Sequence, residues 1–234
     1  METTKHVSQT IRGLSESLHR PTTVQRLISW QEKSLNGQQL EWSRRWLRIK
    51  TLGDPQLERM ERTFVGAANL MHKQPGDGVL IVAYGRNGTG KTTCARGLAD
   101  WAFKWLRLAQ YVPRGGFVRS PATQFWSWPE LLDALKGGSW GLVKELFPPT
   151  HDPESNTGCE LLIIDELGGG HDPTFVGVDK LCQILSAREN AWTVVTTNIL
   201  SAAWETSFDL RVKSRLHRNA VHIDLSEVPD YATR

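Results

Sequence analysis

A chain of 234 residues with 39% hydrophobic and 23% charged residues and a formal net charge of +3 has an ordinary globular composition, which excludes extensive disorder away from the ends. The apolar runs Val79–Tyr84 and Leu161–Ile164 are too short to cross a bilayer, and the polar start Met1-Glu-Thr-Thr-Lys-His6 has no signal-peptide core; a cytoplasmic protein with no membrane contact is expected. Cys94, Cys159 and Cys182 are scattered without C-x-x-C spacing, so neither a zinc site nor a disulfide framework is indicated, and buried, reduced thiols are expected.

Charge is uneven along the chain. Residues 1–75 hold 12 Lys/Arg against 7 Asp/Glu, a surplus that fits an anionic partner or, equally, a solvated basic helix face. Leu14 and Leu18 lie one helical turn apart, and Val24, Leu27 and Ile28 form the next apolar stripe. Across Gln39–Leu52, Trp42, Trp46 and Ile49 share one helical face while Arg44, Arg45 and Arg48 gather on another. Gly53-Asp54-Pro55 supplies a stop and a restart: glycine to end one helix, Asp54 to cap the next and Pro55 as its first residue. That next helix carries Leu57, Phe64, Ala68 and Met71 and ends before the turn Pro75-Gly-Asp-Gly78, where a helical N-terminal segment (1–75) is expected to give way to a core (76–234).

The apolar run Val79–Ala83 is followed by Gly85-Arg86-Asn87-Gly88-Thr89-Gly90-Lys91-Thr92, a complete G-x-x-x-x-G-K-[ST] phosphate-binding loop, and then by a helix-like run from Thr92 to Leu108. Glycines let successive amide N–H groups turn inward around a phosphate at a helix N-terminus. Residues Gly85 to Thr93 are therefore the expected ATP-binding stretch, with Lys91 reaching the β- and γ-phosphates and Thr92 ligating Mg²⁺.

Beyond the loop, short apolar runs alternate with helical ones, as in a parallel sheet with crossover helices. A strand is expected near Thr123–Trp126, then a helix from Pro129 through Leu131, Leu132 and Leu135 that Gly137-Gly138 ends. His151–Gly158 is rich in turn formers and reads as an exposed loop. Leu161-Leu-Ile-Ile-Asp165-Glu166 is a buried strand ending in two carboxylates: Asp165 is placed to hold Mg²⁺ with Thr92, and Glu166 to polarise the attacking water. Thr193-Val-Val-Thr-Thr-Asn198 is a second apolar strand with a polar end, from which Asn198 would meet the γ-phosphate or that water. In Asp209-Leu-Arg211-Val-Lys-Ser-Arg215-Leu216, Arg211 and Arg215 are one turn apart, suited to an adjacent subunit's γ-phosphate or to surface salt bridges. Lys136, Trp140 and Lys144 combine basic and aromatic character that suits single-stranded nucleic acid, or that merely caps and packs a helix.

Taken in order, these motifs resemble the DnaC/IstB-like branch of the AAA+ ATPases, helicase loaders and transposition helpers, over the stretch from about Leu57 onward. Gly85–Thr92 looks like Walker A, Leu161–Glu166 like Walker B, Thr196-Thr-Asn198 like sensor 1, Arg211–Leu216 like the box with the arginine finger, and Val228-Pro-Asp-Tyr231 like the branch's tail. The resemblance implies an α/β P-loop core with a helical N-terminal segment and no C-terminal lid. It also implies ATP and Mg²⁺ as cofactors, Lys91 and Thr92 on phosphate and metal, Asp165 on Mg²⁺, Glu166 as catalytic base, Asn198 as sensor, and Arg215 as a finger acting on a neighbouring subunit, with Arg211 as a second candidate. The expected protein is an ATPase that forms a ring or helical filament on single- or double-stranded DNA and serves a replicative helicase. An IstB-like helper that recruits a transposase uses the same core, and a small-molecule P-loop kinase or a non-hydrolysing switch are readings from other classes; Glu166 counts against the switch.

Overall fold

The computed structural model describes residues 22–30, 53–73, 77–109, 123–137, 140–149, 158–168 and 176–231. Its elements in chain order are α1 (Thr23–Trp30), α2 (Pro55–Lys73), β1 (Leu80–Gly85), α3 (Lys91–Ala109), β2 (Thr123–Ser127), α4 (Trp128–Lys136), α5 (Trp140–Glu145), β3 (Leu161–Asp165), α6 (Val176–Ala187), β4 (Trp192–Thr197), α7 (Trp204–Ser207), α8 (Leu210–His217) and β5 (Ala220–Leu225). The Trp42/Trp46 and Leu14/Leu18 stripes and most of the His151–Gly158 loop lie outside the described residues.

Among the described residues the strands form one five-stranded, wholly parallel sheet in the order β2-β3-β4-β1-β5. Every residue of β1, β3 and β4 is buried, which explains why these strands read as unbroken apolar runs rather than alternating ones. Alternate residues face opposite layers. Val79, Ile81, Ala83, Leu161, Ile163, Val194, Val221 and Ile223 pack with Leu27 of α1, with Leu57, Met60, Phe64 and Met71 of α2, and with Cys94, Leu98 and Ala102 of α3. Leu80, Val82, Tyr84, Leu162, Ile164 and Val195 meet α4 to α8 through Leu131, Leu135, Val143, Ile184, Trp204, Val212 and Leu216. The fold is thus helices over both faces of a parallel sheet, as the chain-order pattern requires.

Local chemistry sets the ends of elements. Asp54 caps α2, its Oδ1 accepting from Gln56 N at 2.8 Å and Leu57 N at 3.4 Å, with Pro55 as the first helical residue. The α4 helix starts one residue before Pro129, and Gly137 closes it by donating to the Asp133 carbonyl. Cys94, Cys159 and Cys182 are reduced and buried, and burial pushes each thiol upward from its ordinary value. No helix among the described residues is long and apolar enough to cross a membrane.

A buried arginine ties the second layer to the sheet. Arg188 follows α6, is 1% exposed, and donates to Leu146 O (2.9 Å), Cys159 O (2.9 Å), Glu160 O (3.1 Å), Trp192 O (2.8 Å) and Thr193 Oγ1 (2.9 Å). Its planar fork satisfies the irregular backbone that enters β3, a task no apolar residue performs.

Candidate nucleotide site

The phosphate loop joins the C-terminal end of β1 to α3. Gly85 ends β1 at φ 149°, and a Cβ placed on it would lie 2.6 Å from the Leu225 carbonyl oxygen, so only glycine lets β1 finish this close to β5. Arg86 and Asn87 are exposed at the loop's turn, Gly88 and Gly90 are half-buried, and Thr89 is buried with its hydroxyl donating to Arg86 O at 3.1 Å. Lys91, Thr92 and Thr93 open α3 with their side chains on its first turn, where the unpaired N–H groups of the helix favour an anion.

Lys91 is 5% exposed and donates to Gly85 O (2.8 Å), Arg86 O (2.7 Å) and Thr89 Oγ1 (3.2 Å), so its ammonium lies in the concavity of the loop. Burial brings its pKa down to about 8, against the opposing pull of Asp165 and Glu166.

The sheet register brings the carboxylates to this loop. Ile164 pairs with Val195, and Ala83 with Thr196, so the end of β3 stands one strand removed from the end of β1, with Thr196 of β4 between them. Asp165 is 4% exposed, and its Oδ1 accepts from the Thr92 hydroxyl at 3.0 Å and from the Thr196 hydroxyl at a short distance. Glu166 sits at φ 60°, an uncommon angle for a residue with a Cβ. Two bonds from one residue hold it there: Glu166 N–H to Thr196 Oγ1 (3.0 Å) and Leu167 N–H to Thr196 O (2.8 Å). The turn leaves the Glu166 side chain exposed beside buried Asp165.

Asn198 is exposed in the turn after β4, which the Thr197 hydroxyl braces by donating to Leu167 O (2.7 Å) and accepting from Ile199 N–H (3.1 Å). Arg211 and Arg215 lie elsewhere. Arg211 pairs with Asp179 (2.7 Å) and Asp209 (3.0 Å), while Arg215 donates to Ser186 Oγ (2.6 Å) and Arg211 O (2.9 Å). Arg215 shares a surface depression with Leu80 and Thr193, at the N-terminal ends of β1 and β4. The six residues of β1 separate that end from the loop by roughly 16 Å, beyond the reach of an arginine in the same chain. Lys136 and Lys144 are exposed at the ends of α4 and α5.

Three participants went unassigned in the sequence reading: the bridging role of Thr196, the buried Arg188, and the contact of Asp230 and Tyr231 with Gly88 described below. The first left a trace as two successive threonines at the end of an otherwise apolar strand, and the third as the motif Val228-Pro-Asp-Tyr231, whose contact with the loop was not legible.

The parallel sheet in this order, the phosphate loop between β1 and α3 and the acidic end of β3 define a P-loop fold of the AAA+ type. Its likeness among solved structures includes the crystal structure of the DnaC helicase loader, with a TM-score of 0.50 at 16% identity over 70% of this chain and 89% of that one. The replication initiator DnaA bound to AMPPCP and single-stranded DNA has a TM-score of 0.48 at 16% identity, over 69% of this chain and 46% of that one. No protein-family model matches the sequence, and no curated protein matches it.

Proposed function

We propose that this chain is an ATPase that assembles with further copies of itself on DNA and acts on a replicative helicase. The observation that carries the hydrolytic part is the Thr92–Asp165 hydrogen bond at 3.0 Å, which joins the phosphate loop to the acidic end of β3 and leaves exposed Glu166 one residue beyond. The client and the DNA rest on the fold shared with a helicase loader and on the basic surplus of residues 1–75.

In this reading the triphosphate takes the place of the loop carbonyls as partner of the Lys91 ammonium, and amides of Gly88 to Thr92 point at its oxygens. Thr92 and Asp165 supply hard oxygen ligands of the kind Mg²⁺ selects, and the ion would neutralise charge on the β- and γ-oxygens. Glu166 accepts hydrogen bonds from the water in line with the γ-phosphate, and its exposure beside the buried Asp165 lets the two acids keep separate tasks. Asn198, on the neighbouring strand end, donates to the γ-phosphate or to the same water. Arg215 leaves Ser186 for the γ-phosphate of an adjacent copy and stabilises the charge of the transition state, a contribution of about 10³-fold or more in related chemistry.

Glu166→Gln is expected to retain ATP binding and lose turnover. Arg215→Ala is expected to lose turnover as well, and mixing the two variants to restore part of it, because contacts in which the Arg215→Ala subunit supplies the acid and the Glu166→Gln subunit the arginine then hold both groups. Full activity of Glu166→Gln, or no recovery on mixing, overturns the shared site. Capture of a transposase instead of a hexameric helicase by the full chain overturns the client.

A further inference from the structure

The segment after β5 folds back over the phosphate loop. Val228 is 1% exposed and donates its N–H to Leu225 O at 3.2 Å, which turns the chain at the end of the sheet. Pro229 follows, restricting φ, and Tyr231 then donates its backbone N–H to the carbonyl of Gly88 at 3.1 Å. The Tyr231 ring packs on the same core as α1 to α3, and its hydroxyl lies 3.3 Å from Asp54 Oδ2, on the residue that caps α2. Between these two anchors the Asp230 carboxylate rests on Gly88 so closely that a Cβ added there would overlap it. One strap of four residues therefore joins the phosphate loop to the first turn of α2.

Its charge is at odds with the task of the loop. A phosphate cradle works by presenting N–H dipoles, a helix N-terminus and one lysine to a polyanion. Asp230 brings a negative charge to the backbone of that cradle, at the one glycine the strap also binds. A carboxylate here opposes a triphosphate at any effective dielectric, and the hydrogen bond from Tyr231 holds Gly88 in its present orientation.

We propose that Val228–Tyr231 is a latch on the nucleotide site, in which Asp230 lowers nucleotide affinity until the strap withdraws from Gly88. The proposal rests on the reading of the loop as a triphosphate site and adds its regulation. Withdrawal also frees the Asp54 carboxylate from Tyr231, so occupancy of the loop is transmitted to the cap of α2.

The test is binding of a fluorescent ATP analogue, followed by equilibrium titration and stopped flow, to the full chain and to the Asp230→Asn, Tyr231→Phe and Lys91→Ala variants. Asp230→Asn keeps the side-chain shape and removes the charge; about five- to tenfold tighter binding is expected at low salt, from one charge acting over several ångströms at an intermediate dielectric. The gap is expected to shrink to within about twofold at 0.5 M salt, where such interactions are screened. Tyr231→Phe removes the bond to Asp54 and is expected to speed association. Wild-type binding with unchanged or weaker binding by Asp230→Asn overturns the latch alone. No binding by either the wild type or Asp230→Asn, or full binding by Lys91→Ala, overturns the underlying site and the latch with it.

Discussion

Thr196 offers the sharpest test of how the sheet builds the acidic end of the site. Its hydroxyl donates to Asp165 Oδ1 and accepts the Glu166 N–H at 3.0 Å, so one oxygen positions both carboxylate residues. Thr196→Val replaces that oxygen with a methyl of nearly the same size inside a fully buried strand, and leaves the Leu167 N–H to Thr196 O bond in place. A hydrogen bond to a charged group contributes about 1.5–3 kcal/mol, and the φ of 60° at Glu166 costs about 1–2 kcal/mol, which its N–H bond helps to offset. Asp165 keeps the Thr92 hydroxyl, so nucleotide binding is expected to change little. In the proposed reaction turnover depends on where the Glu166 carboxylate points, and a loss of about 1.4–2.7 kcal/mol of positioning is a fall of roughly 10- to 100-fold. Phosphate release at saturating ATP measures it, with nucleotide affinity determined in parallel. Thr196→Ser restores the hydroxyl without the methyl and is expected to recover most of the rate. Turnover of Thr196→Val within about twofold of wild type, or equal failure of Thr196→Ser, refutes the bridging role.

Two further outcomes are expected. Arg188→Met fills similar volume but strips the donors from four backbone carbonyls, at about 1–3 kcal/mol for each buried group left without a partner; even the low end, about 4 kcal/mol for the four, is expected to lower the melting temperature by roughly 8–16 °C in thermal denaturation, and an unchanged value refutes the accounting. Lys91, held down at about 8 in the free chain, is already charged below that pH and neutral above it. A bound triphosphate favours the ammonium, so affinity is expected to be flat below about pH 8 and to fall by up to about tenfold per unit above it, with proton uptake near pH 9 seen by calorimetry in buffers of different ionisation enthalpy. Lys91→Gln is expected to abolish the uptake; uptake that persists assigns the proton elsewhere.

Local signals carried far. The phosphate loop, the cap at Asp54-Pro55, the strands around Thr123, Leu161 and Thr193 and the helix around Arg215 were all legible, because each depends on residues within a few positions: glycines where the backbone turns, a carboxylate before a helix, unbroken apolar runs where both faces of a strand are covered. The alternation of these elements also announced a parallel sheet. Helix α2 was legible as an amphipathic helix, while its packing against α3 and β5 was not, since periodicity says which face is buried and never against what.

What the tertiary structure alone decided are relations across strand order. Residues 92 and 165 are 73 positions apart, and nothing in the local chain fixes that β4 should lie between β1 and β3 and deliver Thr196 to both acids. The same holds for Arg188, whose five partners come from three separate stretches, and for Arg215, which the sheet carries to the far end from its own loop. The loop at Gly85–Thr92 could be read as a phosphate cradle because its chemistry lies in eight consecutive residues. That Asp230 rests on Gly88 could be learned only from the fold, because β5 beside β1 is what returns the chain to the loop.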